Sequence, residues 1–186
     1  MPVQFRFLQD RNDLVLVAAI ALLPVDGTVL GIYAPFWTPI SPWLFLLYAA
    51  LNHRYLPMVY HRFRAFFWLP ALLMVLSVPG WLVFGFHTVS MMESLLGILG
   101  ALGCLASLDI ALTHKRLDWR RLMHMLIAVY WLALAVGVVQ WLAIQLDVDC
   151  VVEYFKHLMA RQYVDSDSQW GGGRPQFLFA EPSYIG

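Results

Sequence analysis

Residues 66–86 read FFWLPALLMVLSVPGWLVFGF, and no acidic or basic side chain interrupts them. A helix rises about 1.5 Å per residue, so this stretch matches the roughly 30 Å of a bilayer's hydrocarbon core. Pro70 and Pro79 fall inside it. A membrane helix tolerates them, because neighbouring helices and polar side chains re-satisfy the carbonyls that proline leaves free. The segment just before, Asn52 to Ala65, carries Arg54, Arg62 and Arg64. An uncharged span with a basic flank predicts a transmembrane helix, and the rest of the chain can be laid out around it in the same way.

Five stretches have the required length. They are Leu14 to Tyr33, interrupted by Pro24, Asp26 and Gly27; Pro35 to Leu51; Phe66 to Phe86; Met91 to Leu112; and Leu122 to Leu146. Trp37 and Trp43 lie near the start of the second, where amphipathic rings favour the interface. The expected fold class is therefore an all-α membrane protein with five transmembrane helices over residues 1–146, followed by a tail over 147–186. Composition agrees. Hydrophobic residues make up 61% and charged residues 13%, against about 45–50% and 25% in soluble domains. A water-soluble chain of this size must leave much of its surface in water and could not hide so much apolar area. The first apolar stretch has no small-residue cleavage site, so it reads as a retained span rather than a signal peptide.

Basic residues alternate between connectors. The N-terminal segment holds Arg6 and Arg11, the segment 52–65 holds its three arginines, and the fourth connector holds Lys115, Arg116, Arg120 and Arg121. The connectors around Tyr33 to Pro42 and Phe86 to Ser90 contain neither Lys nor Arg. This is the positive-inside pattern, and it predicts a cytoplasmic N-terminus with residues from Asp147 onward outside.

Within the spans, Gly97, Gly100 and Gly103 recur every three residues, a small-residue spacing that predicts close helix–helix packing. A charge near the bilayer centre is costly, so each ionisable group there needs a reason. Asp26 has two readings. It accepts hydrogen bonds from another helix or lines a polar cavity, or the helix ends early near Pro24 and Asp26 reaches water. Glu93 and Asp109, at the two ends of the fourth span, are expected to be solvated at the interface, and His87 and His124 to be structural. Cys104 and Cys150 suit neither a disulfide framework nor a metal site, and no His and carboxylate pair has metal-ligand spacing.

The tail changes character. Val151, Tyr154, Phe155, Leu158 and Met159 fall at helical spacing within 151–163, which predicts an amphipathic helix lying on the outer membrane surface. A polar stretch with Gly171, Gly172 and Gly173 follows, and then a terminal segment in which Arg174 and Glu181 flank Phe177-Leu178-Phe179. Arginine offers a rigid fork of donors matched to phosphate oxygens. A carboxyl held among apolar side chains is raised in pKa and suits general-base work on a sugar hydroxyl.

The terminal segment, Arg-Pro-x-x-Leu-Phe-x-Glu-Pro-Ser-Tyr-x-Gly over Arg174 to Gly186, resembles a motif in the large outer loop of bacterial polysaccharide polymerases of the O-antigen polymerase and O-antigen ligase superfamily. The resemblance is close over the motif and generic over the preceding helices. It implies a multi-helix glycosyltransferase of the bacterial inner membrane that uses undecaprenyl-pyrophosphate-linked oligosaccharides on the periplasmic side, with no metal, nucleotide sugar or other cofactor and no nucleic-acid partner. It implies Arg174 as the pyrophosphate contact, Glu181 as the base or acceptor-orienting residue, and Pro182, Ser183 and Tyr184 as the turn behind it. Asp26 would be a further supporting residue. Members continue beyond this motif into more membrane helices, so the resemblance covers an N-terminal portion, and other polysaccharide-assembly membrane proteins are expected partners. Two other readings stand beside it: a non-enzymatic membrane subunit packed against a larger partner, and a transport-related helical bundle built around Asp26.

Overall fold

A computed structural model describes residues 10–33, 37–160 and 178. The chain divides into two compact units, residues 1–17 with 42–119, and residues 18–41 with 120–186. The described residues are mostly helical: α1 (Asp13–Leu22), α2 (Ile40–Leu51), α3 (Leu56–Phe84), α4 (Thr88–Asp109), α5 (Trp119–Gln145) and α6 (Asp149–Leu158), with one two-stranded hairpin, β1 (Gly31–Tyr33) and β2 (Trp37–Pro39).

Three helices are long and apolar enough to cross a membrane, at His53–Phe84, Thr88–His114 and Trp119–Gln145. Their exposure pattern shows why lipid or another apolar surface must cover them. None of the most apolar eighteen-residue window of α3 is buried. Exposure is not confined to one stripe: Val75 and Leu76, adjacent in sequence and about 100° apart around the helix, are 68% and 65% exposed. Monomers that live in water do not present apolar surface of this extent.

The helix α3 begins ten residues before the uncharged stretch that marks it in the sequence. Phe63 leaves helical geometry (φ −115°, ψ 24°) and breaks it in two. The part after the break, from Arg64 to Phe84, rises about 31 Å, close to the span predicted from residue 66. Gly85 ends it at a φ of 84° that other residues adopt with strain. The fourth and fifth helices start within three residues of their predicted positions.

The first two segments differ from expectation. Instead of one helix over 14–33, α1 stops at Leu22 and a single 3₁₀ turn (Leu23–Val25) follows. Pro24 lacks the N–H that a continuing helix would need, and Thr28 then turns the chain back, donating through both its amide and its hydroxyl to the Val25 carbonyl at 3.0 and 2.8 Å. The chain continues into the hairpin, in which Gly31 pairs with Pro39, Ile32 with Thr38 and Tyr33 with Trp37. The second helix accordingly begins at Ile40 rather than Pro35, and α1 with its 3₁₀ turn and α2 are both shorter than the spanning helices.

In the first unit, α4 packs on α2 through the predicted small residues. A Cβ on Gly103 would lie 2.6 Å from Leu46 Cδ2, and one on Gly100 would lie 3.1 Å from Pro42 Cβ. Gly97 faces open space instead. Ser107 seals the same contact, donating its hydroxyl to the Phe45 carbonyl at 2.6 Å.

In the second unit, α6 carries apolar residues on one side, with Phe155 and Met159 buried and Tyr154 exposed. It ends at Leu158 because the chain turns extended and pairs with the loop after α1: Val29 N–H donates to the Leu158 carbonyl and Ala160 N–H to the Gly27 carbonyl, at 2.9 and 3.0 Å. The predicted continuation to residue 163 lies partly outside the described residues.

Candidate functional site

Two polar constructions stand out, one in each unit. In the first unit the three basic connectors meet at one end. Lys115 is 1% exposed, and its ammonium lies 2.5 Å from Asp13 Oδ1 and 2.8 Å from Asp10 Oδ2. Asp13, itself 0% exposed, also accepts from the Tyr48 hydroxyl at 3.1 Å. A buried charge is tolerated only when paired and hydrogen-bonded, and here both ions are. Burial alone would raise the Asp10 carboxyl, but the Lys115 bond and charge, with the Asn12 and Asp13 amides, outweigh it and hold its pKa below the usual carboxylate value.

A single π-helical turn, Ile110–His114, carries the chain from α4 to Lys115 and aims its neighbours at a second cluster. Asp109 accepts from Arg62 Nη1 at 2.6 Å and from Thr113 Oγ1 at 2.9 Å through the same oxygen, Oδ1. Its other oxygen is buried with no hydrogen bond among the described residues and faces His114 Nε2 at 3.6 Å. Tyr55 stacks on the His114 ring at 5.3 Å, and the Arg54 guanidinium lies 4.7 Å over the Tyr55 ring. Asp109 is thus not a solvated helix end, as the sequence suggests, but the buried member of an ion pair whose arginine stays half exposed. The interface reading fails because Arg62, distant in sequence, arrives from α3 and compensates the charge. No local pattern announces such pairing.

In the second unit, Asp26 lies beyond the end of α1, outside the three long helices. Its Oδ2 accepts from the Ser41 hydroxyl at 2.6 Å, at the start of α2, while its Oδ1 is buried with no hydrogen bond among the described residues. Desolvation raises this carboxyl from 3.8 to about 6, although the Ser41 hydroxyl and amide pull the other way. Each of the two sequence readings is therefore partly met: the helix does end at Pro24, yet the carboxyl is held in a polar contact rather than released to water.

The neighbouring residue links this carboxyl to the terminal segment. Gly27 N–H donates to the Leu178 carbonyl at 2.9 Å, and Leu178 is 8% exposed. The backbone of Gly27 to Val29 is therefore bonded to the stretch just after α6 through Leu158 and Ala160, and to Leu178. Arg174, Glu181, Ser183 and Tyr184, the residues that the motif implies, lie outside the described residues. Among the described residues, no three His, Cys, Asp or Glu side chains converge as a metal-ligand set, and Cys104 and Cys150 are both free thiols.

No family model, characterised protein or solved structure matches this chain.

Proposed function

We propose that this chain is part of a multi-pass glycosyltransferase of the bacterial inner membrane, of the polysaccharide-polymerase type, acting on undecaprenyl-pyrophosphate-linked oligosaccharides. The observation that carries the reading is the Gly27–Leu178 hydrogen bond. It ties the motif-bearing segment to the residue beside a half-buried carboxyl whose pKa is raised to about 6. In this reading the acceptor hydroxyl oxygen attacks the donor's anomeric carbon, the bond from that carbon to pyrophosphate oxygen breaks, and a carboxylate takes the hydroxyl proton. Glu181 is the base, Arg174 holds the departing pyrophosphate, Ser183 and Tyr184 support the turn, and Asp26 is a further supporting residue.

The five-segment layout, with the N-terminus in the cytoplasm and the site outside, belongs to the same reading. In the first unit, Lys115 of the fourth connector bonds to Asp10 and Asp13 of the N-terminal segment, and Arg62 of the segment 52–65 pairs with Asp109 just before that connector; this clustering supports a single basic side. A second reading, a non-enzymatic membrane subunit, is favoured by the wholly uncovered window of α3, which a larger partner's helices would pack against.

Complementation of a polymer-deficient strain separates the two. A version of the protein that restores polymer should lose that ability in Glu181→Gln and be impaired in Arg174→Lys, because a point charge does not replace a bidentate fork. Membrane insertion should be unchanged in both. Normal polymer from Glu181→Gln would refute the glycosyltransferase assignment.

A further inference from the structure

A basic hollow on the opening turns of α3 is not used by the proposed reaction. Pro57, Met58, His61 and Arg62 line it. Pro57 with His61, and Met58 with Arg62, are four residues apart and share one face of the opening turns of α3. The segment His53 to Ala65 contains no Asp or Glu, and His53, Arg54, His61, Arg62 and Arg64 are all exposed.

Arg62 is the built part of this hollow. Its Nη1 is committed to Asp109 and Thr113, and Asp109, with a side chain 7% exposed, anchors it from inside. Among the described residues, Nε and Nη2 make no hydrogen bond, and the side chain remains 49% exposed. A buried carboxylate thus fixes the guanidinium while leaving part of its donor fork available, the form in which arginine recognises phosphate oxygens.

Its depth identifies the ligand. The break at Phe63 separates this basic turn from the uncharged stretch that begins at Phe66. The hollow therefore sits where hydrocarbon gives way to headgroups. Phe66 and Trp68, 55% and 63% exposed, open the apolar surface below it. Charge complementarity at that depth selects an anionic group attached to acyl chains.

We infer that the hollow at Pro57, Met58, His61 and Arg62 binds the phosphate headgroup of an anionic glycerophospholipid, its acyl chains lying along the exposed surface of α3. The site is independent of the glycosyltransferase reading and holds whichever leaflet contains it.

Native mass spectrometry of the full chain in a non-ionic detergent, offered equal phosphatidylglycerol and phosphatidylcholine, tests the inference. The wild type should retain phosphatidylglycerol preferentially, by about fivefold for each basic side chain engaged. Arg62→Lys keeps a cation for Asp109 but loses the free part of the fork, so the preference should fall about fivefold, and His61→Ala should lower it further. Arg116→Gln, which removes a charge of another connector outside the hollow, should lower the preference by less than either. Thermal unfolding in the same detergent confirms that each variant is folded. No preference in the wild type, an unchanged preference in Arg62→Lys and His61→Ala, or an equal fall in Arg116→Gln would overturn the site. Complete displacement of the lipid by inorganic phosphate would overturn its assignment to a lipid headgroup.

Discussion

Replacing Lys115 by methionine probes the joint between the N-terminal segment and the turn after α4. The ammonium is 1% exposed and touches a carboxylate that is 0% exposed, so the substitution removes a charged partner from Asp13 in a site closed to water. Breaking a buried pair from one side costs about 3–5 kcal/mol, against at most about 1 kcal/mol for an exposed pair. Lys115→Met should therefore be destabilised by the larger amount in denaturant unfolding in mixed micelles, followed by tryptophan fluorescence. Adding Asp13→Asn removes the other charge of the pair, so the double variant should recover part of the lost stability, with a coupling energy of order 2 kcal/mol. A loss under about 1 kcal/mol in the single variant, or additive losses in the double, would refute the claim that this pair is buried and joins the two segments.

Gly103→Ala should cost about 1–3 kcal/mol, because its Cβ collides with Leu46, while Gly97→Ala should be close to neutral in the same unfolding assay. Equal effects would mean that α2 does not pack on α4 as described. Because the Asp26 pKa is raised on folding from 3.8 to about 6, the folded state binds the proton more tightly. The wild type should accordingly lose stability as pH rises from about 4 to 6, and Asp26→Asn should flatten that slope; an unchanged slope would mean that the carboxyl is solvated.

Much of the helical pattern was legible because membrane spans are long and uncharged. The window 66–86 and the stretches at 91 and 122 declare themselves by composition, and the structure places long helices there. The first segment misled for a physical reason. Hydropathy does not register that Pro24 removes a donor, nor that Thr28 can bond back to Val25 and redirect the chain into a hairpin. The glycine spacing in α4 predicted a contact, yet only Gly100 and Gly103 make it, since the helix leaves its neighbour before Gly97. The ion pairs of Asp13 with Lys115 and of Asp109 with Arg62 were invisible, because each joins residues roughly fifty to one hundred positions apart. At the candidate site, Asp26 could be singled out as a costly charge, but its link through Gly27 to Leu178 depends on a backbone hydrogen bond that no residue pattern encodes.

The proposed function depends most directly on the Gly27–Leu178 hydrogen bond. Cysteines placed at Gly27 and Leu178, with Cys104 and Cys150 replaced by serine, stand on backbones held together by a 2.9 Å hydrogen bond, within reach of a disulfide. Mild oxidation of membranes carrying the double-cysteine protein should give an intramolecular cross-link that neither single-cysteine protein forms. Free thiols in the double variant under conditions that oxidise an exposed control pair would contradict the placement of Leu178 beside Gly27.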